Sequence, residues 1–256
     1  MGAAIGRVLV EQGHVVHWCS DDRSDASRAR ATEAGLTDAG SLASCAAAAE
    51  LLISIVPPHA AHKVARHVLD AGFTGTFVDA NAIAPVTARA IAEEVEAAGV
   101  RYVDGSLIGP PPRASGDTRF YVSGDGADVV AGLFDGSIVD VRVLDEHGVA
   151  ASAIKMCFAA WTKGTAAMLA NIQELARAEG VHGALFNEWE ASIPELPARC
   201  RRIDARAHEK AWRFIGEMDE IAAAFGEHEL PDGFHRGAAS VYRSIAARAA
   251  KKETQP

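Results

Sequence analysis

The chain has 256 residues, room for one large domain or two modest ones at about 100–200 residues each. Its 49% hydrophobic and 23% charged residues exclude global disorder, and a net charge of −9 argues against a general nucleic-acid binder, whose footprint is basic. No apolar run approaches the roughly 20 residues that cross a bilayer, and Met1-Gly2-Ala3-Ala4 lacks the basic segment and apolar core of a secretory signal. A cytoplasmic protein with no membrane and no nucleic-acid partner is expected. The four cysteines (Cys19, Cys45, Cys157, Cys200) are scattered without a Cys-x-x-Cys pair, so they read as free thiols rather than a zinc or redox centre.

In chain order, Gly2–Glu11 reads as a helix and Val15–Cys19, after Gly13-His14, as a strand. Leu51–Val56 is a second strand, stopped by Pro57-Pro58. Thr76–Asp79, Val100–Asp104 and Arg119–Ser123 are a third, fourth and fifth, and Val139–Leu144 a sixth. Alanine-rich helices fill Ala60–Ala71 and Val86–Ala98 between them. Near-continuous apolar strands separated by helices imply a parallel sheet covered on both faces, with an antiparallel edge where the connections shorten. After Gly148 the strands stop. Ala151–Glu179 reads as one long helix whose seam is Ile154, Phe158, Trp161, Thr165, Met168, Ile172 and Leu175. Helices over Gly183–Ala191, Ile203–Phe225 and Gly233–Ala249 follow, punctuated by Pro194, Pro197 and Pro231-Asp232-Gly233. The predicted architecture is an α/β Rossmann-type domain over 1–148, lacking its first strand, followed by an all-α substrate and dimerisation domain over 149–256. The long seam, with Trp212, Phe214, Ile215 and Phe225, predicts a homodimer.

A doubly wound sheet opens with a strand, a glycine-rich turn and a helix whose N-terminus receives a pyrophosphate. Here the chain opens directly on that helix, with Gly2 at the place of the turn's last glycine. Gly2-Ala3-Ala4-Ile5-Gly6 with Gly13-His14, Val56-Pro57-Pro58, Asp79-Ala80-Asn81 before Pro85, Val103-Asp104-Gly105-Ser106, and Lys155 form an ordered series. Together they resemble the 6-phosphogluconate dehydrogenase-like family, which includes the β-hydroxyacid dehydrogenases. The match is to the branch whose helical C-terminal domain has no assigned function. The resemblance places a strand and most of the glycine-rich turn before Met1, so a natural start about 10–15 residues upstream is expected, a point that sequencing the N-terminus of the natively expressed protein checks.

The resemblance implies an NAD(P)-dependent oxidoreductase acting on the CH–OH group of a small hydroxyacid-like substrate. The pyrophosphate would lie on Gly2 and Ala3, with Val56, Pro57 and Asn81 at the carboxyl edge of the sheet. After the second strand of the fold come Ser20-Asp21-Asp22-Arg23-Ser24. Ser20, Arg23 and Ser24 would cradle the phosphate of NADP, whereas Asp21 or Asp22 would select NAD, and a solvated turn capping the next helix accounts for the same residues. NADP is favoured, with NAD the alternative. Lys155, near the start of the long helix, is the catalytic residue that the resemblance implies. A lysine moves the hydroxyl proton when desolvation and a helix N-terminus lower its pKa. Ala159, Thr162 and Ala166 share its face and leave room for a ligand.

Two departures bear on the substrate. The family's asparagine four residues after the lysine is Ala159 here, and its serine-glycine-glycine loop is replaced by Ile108-Gly109-Pro110, with Ser106 nearby. Ser106, Gly109 and Thr162 are the expected substrate contacts. His235 and Arg236, opening the last helix, would hold a substrate carboxylate or phosphate. His59, His62 and His67 lack the further ligands that a metal site needs, so no metal is expected. The alternative function is a nucleotide-binding or scaffold protein that keeps the fold without turnover.

Overall fold

The computed structural model describes residues 1–145 and 148–253, with only the course of the helix given for 204–210 and 250–253. Packing divides the chain into two compact units, Met1–Lys155 and Met156–Pro256.

The first unit is α/β. Its elements are α1 (Gly2–Glu11), β1 (His17–Trp18), α2 (Asp25–Glu33), β2 (Thr37–Asp38), α3 (Leu42–Ala48), β3 (Leu51–Ser54), α4 (Pro58–Asp70), β4 (Thr76–Asp79), α5 (Pro85–Ala97), β5 (Arg101–Ile108), β6 (Arg119–Ser123), α6 (Ala127–Gly132) and β7 (Asp140–Val143). β3, β4 and β5 pair in parallel, β6 joins β5 antiparallel, and β7 runs parallel to β6. The antiparallel edge is therefore present, and pairing with β6 carries β5 four residues past the expected Asp104 to Ile108. The strand expected at Val15–Cys19 shrinks to His17–Trp18, with Val15 exposed, and pairs only with the unanticipated β2. The strands thus form two sheets, β1-β2 and β3-β4-β5-β6-β7.

Both faces of the larger sheet are covered, as its apolar strands require. Val78, Val103, Phe120 and Val122 pack with Ile5, Val8 and Leu9 of α1 on one side. Phe77 and Tyr102 pack with Ala61, Ala65 and Val68 of α4 and Ala88, Ile91 and Val95 of α5 on the other. The buried residues of α4 and α5 recur at three- and four-residue intervals, which puts them on one stripe. Each of these helices opens on a proline, Pro58 and Pro85, at the position where the missing N–H costs nothing.

Helix α7 (Ala150–Ala178) starts in the first unit; its remainder, with α8 (His182–Ser192), α9 (Leu196–Glu227) and α10 (Gly233–Glu253), forms the helical second unit. Pro197 was expected to separate elements but sits in the first turn of α9, where it is tolerated. The core of this unit gathers Met156, Ala159, Ala167, Met218, Ile221, Ala239 and Tyr242. Phe214, Ile215 and Phe225 pack against it, but Trp212 is exposed. The α7 seam also faces outward: Phe158, Trp161, Met168, Ile172 and Leu175 are 45%, 64%, 44%, 36% and 62% exposed. Lys163 and the buried Glu217 form an ion pair within this unit. No helix among the described residues is long and apolar enough to cross a membrane. None of the four cysteines forms a disulfide; Cys45 and Cys200 are buried and Cys157 is exposed.

Candidate active site

The register of the larger sheet sets four polar residues in one row. Ser54 on β3 is opposite Asp79 on β4, Asp79 opposite Asp104 on β5, and Asp104 opposite Ser123 on β6. All four are buried. Register partners point to the same face of a sheet, so buried carboxyl and hydroxyl groups cross four strands on one side. Such groups are costly unless hydrogen-bonded, and their partners define the site.

Asn81 serves the first half of the row. Its Nδ2 donates to Ser54 Oγ at 3.0 Å and to Asp79 Oδ1 at 2.7 Å, while its Oδ1 accepts the Val56 N–H at 2.6 Å. Both amide protons are therefore used inside the protein, and Asn81 is buried. Asn81 is therefore a strut that fixes the turn Val56-Pro57 leading from β3 into α4. The neighbouring element is the start of α1. The N–H groups of Gly2 and Ala3 precede the first intrahelical bonds and point out of the helix, and no acidic side chain occupies its first turn. A Cβ at Gly2 would meet only the Ile55 side chain, at 4.0 Å, which sets this helix end beside the end of β3. Backbone donors on an open helix terminus fit a pyrophosphate.

Residues after β1 divide differently from the expectation. Ser20 is buried and its hydroxyl hydrogen-bonds the Asp38 carboxylate. Ser24 caps α2, its Oγ accepting the Ser27 N–H at 3.3 Å. Arg23 is exposed. Two of the three residues expected to cradle a phosphate, Ser20 and Ser24, are thus committed to local structure.

The second half of the row receives the start of α7. Asp104 Oδ2 accepts the Ser152 N–H at 2.8 Å, and its Oδ1 accepts the Ser152 hydroxyl at 2.6 Å. Ser123 Oγ lies 3.2 Å from the same carboxylate and accepts the Ala151 N–H at 3.1 Å. Burial pushes the Asp104 carboxyl up to about 6, against the hydrogen bonds from Ser152 and Ser123, which favour its ion. Three residues along the helix, Lys155 Nζ donates to the Leu107 carbonyl at 2.7 Å. The lysine is half-buried at the carboxyl end of β5, the edge at which open sheets bind ligands.

Two further expected substrate residues adjoin this lysine's strand. Ser106 is fully buried and its hydroxyl has no hydrogen-bond partner, a state that a bound polar group would relieve. Gly109 answers a steric demand. Its φ is +123° and a Cβ would collide with the Asp117 carbonyl, so glycine is needed where the loop after β5 doubles back on itself.

In the second unit the expectations meet competing partners. Thr162 Oγ1 donates to the Phe158 carbonyl of its own helix at 3.0 Å. Ala159, expected to leave space for a ligand, is buried in the helical core. The anion site expected at His235 and Arg236 loses its electrostatic premise. Arg236 pairs with Asp232 at 2.6 Å. His235 is buried against Phe225 and Phe234, and desolvation lowers its pKa. A neutral imidazole and a neutralised guanidinium do not demand an anion. Back in the first unit, His62 Nε2 lies 2.8 Å from Glu94 Oε1, and Arg66 with His62 holds the Glu94 carboxyl down at about 2. No group of three metal-ligating side chains is gathered among the described residues.

Sequence reasoning missed the polar row. Its signal was nonetheless present: Ile53-Ser54, Val78-Asp79, Val103-Asp104 and Val122-Ser123 each set a small polar or acidic residue directly after a buried or half-buried aliphatic one, at the strand's end in β3, β4 and β6 and midway in the longer β5.

Comparison with known proteins agrees with this frame. Residues 1–132 match the family described as the NAD binding domain of 6-phosphogluconate dehydrogenase, and residues 176–245 match a domain of unknown function, DUF1932. No curated protein matches. A conserved hypothetical protein from Sinorhizobium meliloti superposes with a TM-score of 0.70 at 23% identity, covering 99% of this chain and 87% of that one. The 3-hydroxyisobutyrate dehydrogenase of Mycobacterium tuberculosis, solved with L-serine, gives a TM-score of 0.73 at 19% identity over 98% and 91% of the two chains. An imine reductase from Myxococcus stipitatus in complex with NADP+ gives 0.60 at 17% identity over 99% and 92%. These likenesses establish the fold, a Rossmann-like α/β domain followed by a mostly helical region.

Proposed function

Because the chain belongs to the family of the NAD binding domain of 6-phosphogluconate dehydrogenase, we propose that it is an NAD(P)-dependent oxidoreductase of small hydroxyacid-like molecules, with Lys155 as its general acid or base. The observation that carries this reading is the Lys155 amine, half-buried and held 2.7 Å from the Leu107 carbonyl at the carboxyl end of β5. A bound nicotinamide supplies or takes the hydride. The open start of α1 at Gly2 and Ala3 would hold the pyrophosphate, the turn Val56-Pro57 kept in place by Asn81 would flank it, and Arg23 would favour NADP over NAD. Ser106 would give its unpartnered hydroxyl to the substrate. An amine anchored to a carbonyl keeps a fixed direction for its remaining protons, which suits it to hand one to an alkoxide or to take one from an alcohol.

The outward stripe of α7 supports a homodimer. Phe158 to Leu175 spans about 26 Å of helix at roughly 1.5 Å per residue, and the same stripe on a second copy makes a self-complementary interface. The proposed setting is the cytoplasm. A second reading, nucleotide binding without turnover, is favoured by one observation, the burial of Ala159 in the helical core.

The test is a screen of hydroxyacids, sugar acids and imines with NADPH and NADH, using the natively expressed protein and its Lys155→Met variant. Loss of about 10²–10⁴-fold in turnover, the usual weight of a general acid or base, is expected for the variant. Unchanged turnover rejects the role of the lysine, and absence of nicotinamide nucleotide binding rejects both readings.

A further inference from the structure

A carboxylate with no exposed surface is retained in a fold only when donors surround it. Asp104 meets that condition almost wholly through one helix end. It takes the Ser152 N–H and the Ser152 hydroxyl on separate oxygens, at 2.8 and 2.6 Å. The first N–H groups of a helix have no partner within it, so these bonds are the N-terminal anchorage of α7. Ser123 completes it from β6 by accepting the Ala151 N–H at 3.1 Å. The single proton of the Ser123 hydroxyl has two acceptors in reach, Asp104 Oδ2 at 3.2 Å and the Gly148 carbonyl at 3.0 Å. It therefore ties the residues just before α7 to the same carboxylate.

The second attachment of α7 to β5 is Lys155 to the Leu107 carbonyl. From the first attachment to the second the helix advances from 152 to 155 and the strand from 104 to 107. Both steps are three residues in the same sense, about 4.5 Å of helix against about 10 Å of strand, and the long lysine side chain spans the difference to reach the Leu107 carbonyl. Moving the first displaces the second. We propose that Asp104 is a positioning residue for Lys155: through Ser152, and with Ser123, it seats the first turn of α7 on β5 and so fixes the lysine amine against the Leu107 carbonyl. This inference rests on the reading of Lys155 as the proton-handling group, and it names what holds that group in place.

The test needs no substrate. In the full-length chain at constant pH, the rate of reductive methylation of Lys155 by formaldehyde and a borohydride reductant is followed by mass spectrometry, with the exposed Lys63 as an internal reference. Hydrogen exchange of the Ala151 and Ser152 amides is measured on the same samples. Asp104→Asn removes the charge-assisted bond to the Ser152 N–H, and both the Lys155 labelling rate and the exchange of the two amides should rise about tenfold or more. Ser152→Ala is the milder variant, in case the first does not fold. It keeps the N–H and loses only the hydroxyl bond, and a rise of about threefold in both is expected, with Lys63 unchanged in each case. Amides that lose protection while Lys155 labels at the wild-type rate would overturn the coupling, and amides that keep their protection would overturn the anchorage. If the labelling result holds but Lys155→Met retains turnover, the functional reading fails and the positioning role stands.

Discussion

The buried carboxyl of Asp104 makes a prediction about stability and pH that can be worked through. Burial raises its pKa from 3.8 to about 6 in the folded chain, so between those values the folded state binds the proton that the unfolded state has released. Stability from this group is then fully present below about pH 4 and is lost as pH rises through about 6. At about 1.4 kcal/mol per tenfold, the loss amounts to about 3 kcal/mol. The groups around Asp104 are Asp79 in the register position on β4, Tyr102 on its own strand, the neutral Ser123 on β6, and Ser152 and Lys155 on α7. Asp104→Asn keeps the shape and removes the titration. The perturbation is therefore read as a difference between two proteins, in which every other carboxyl cancels. Hydrogen exchange of strand β5 under conditions where it reports unfolding of the first unit, measured from pH 4.5 to 7.5, gives that difference. The variant should gain on the wild type by about 2 kcal/mol across this range, most of it between pH 5 and 7. A difference that stays flat with pH would show that Asp104 titrates alike in both states, and the argument from burial would fail.

Three other substitutions test separate parts of the account. Gly109→Ala should destabilise the first unit by at least about 1–3 kcal/mol, the scale of a residue forced into a sparsely allowed conformation, with the collision at Asp117 added; thermal unfolding measures it. Glu217→Ala leaves Lys163 without its buried partner and should cost about 3–5 kcal/mol in urea unfolding of the helical unit, whereas the double change Lys163→Met with Glu217→Leu should recover much of that loss. Trp161→Glu puts a charge in the middle of the outward α7 stripe. Sedimentation equilibrium should then give the monomer mass where the wild type gives the dimer, and a dimeric variant would remove the stripe from the interface.

The elements were legible because the burial that forms them is written locally. Phe77-Val78 and Tyr102-Val103 are apolar on both faces, so they stand out as strands covered by helices. The helical spacing along α7 was equally plain, but its direction was not: the same spacing serves a core or an interface, and only the packing of Met156, Ala159 and Ala167 shows which side turns inward. Lys155 was visible through its place after the last strand. Its fastening was not, because Asp104 and Ser152 lie 48 residues apart, and a hydrogen bond over that distance leaves no local pattern. His235 and Arg236 misled for a different reason, since their partners lie close by in the chain. Their charges are decided by Phe225 and Asp232, and a helix N-terminus read without those neighbours invites an anion that the folded surroundings do not call for.

The larger sheet ends at β3, and an outermost strand carries a line of amide and carbonyl groups ready to accept a foreign strand. Leu51-Leu52-Ile53 adds apolar side chains and no charge to that rim, the composition from which ordered aggregates grow. Glu50 at one end and Pro57-Pro58 just beyond the other act as gatekeepers, confining the adhesive length to about four residues. Self-association through this rim would therefore be templated by a single short register.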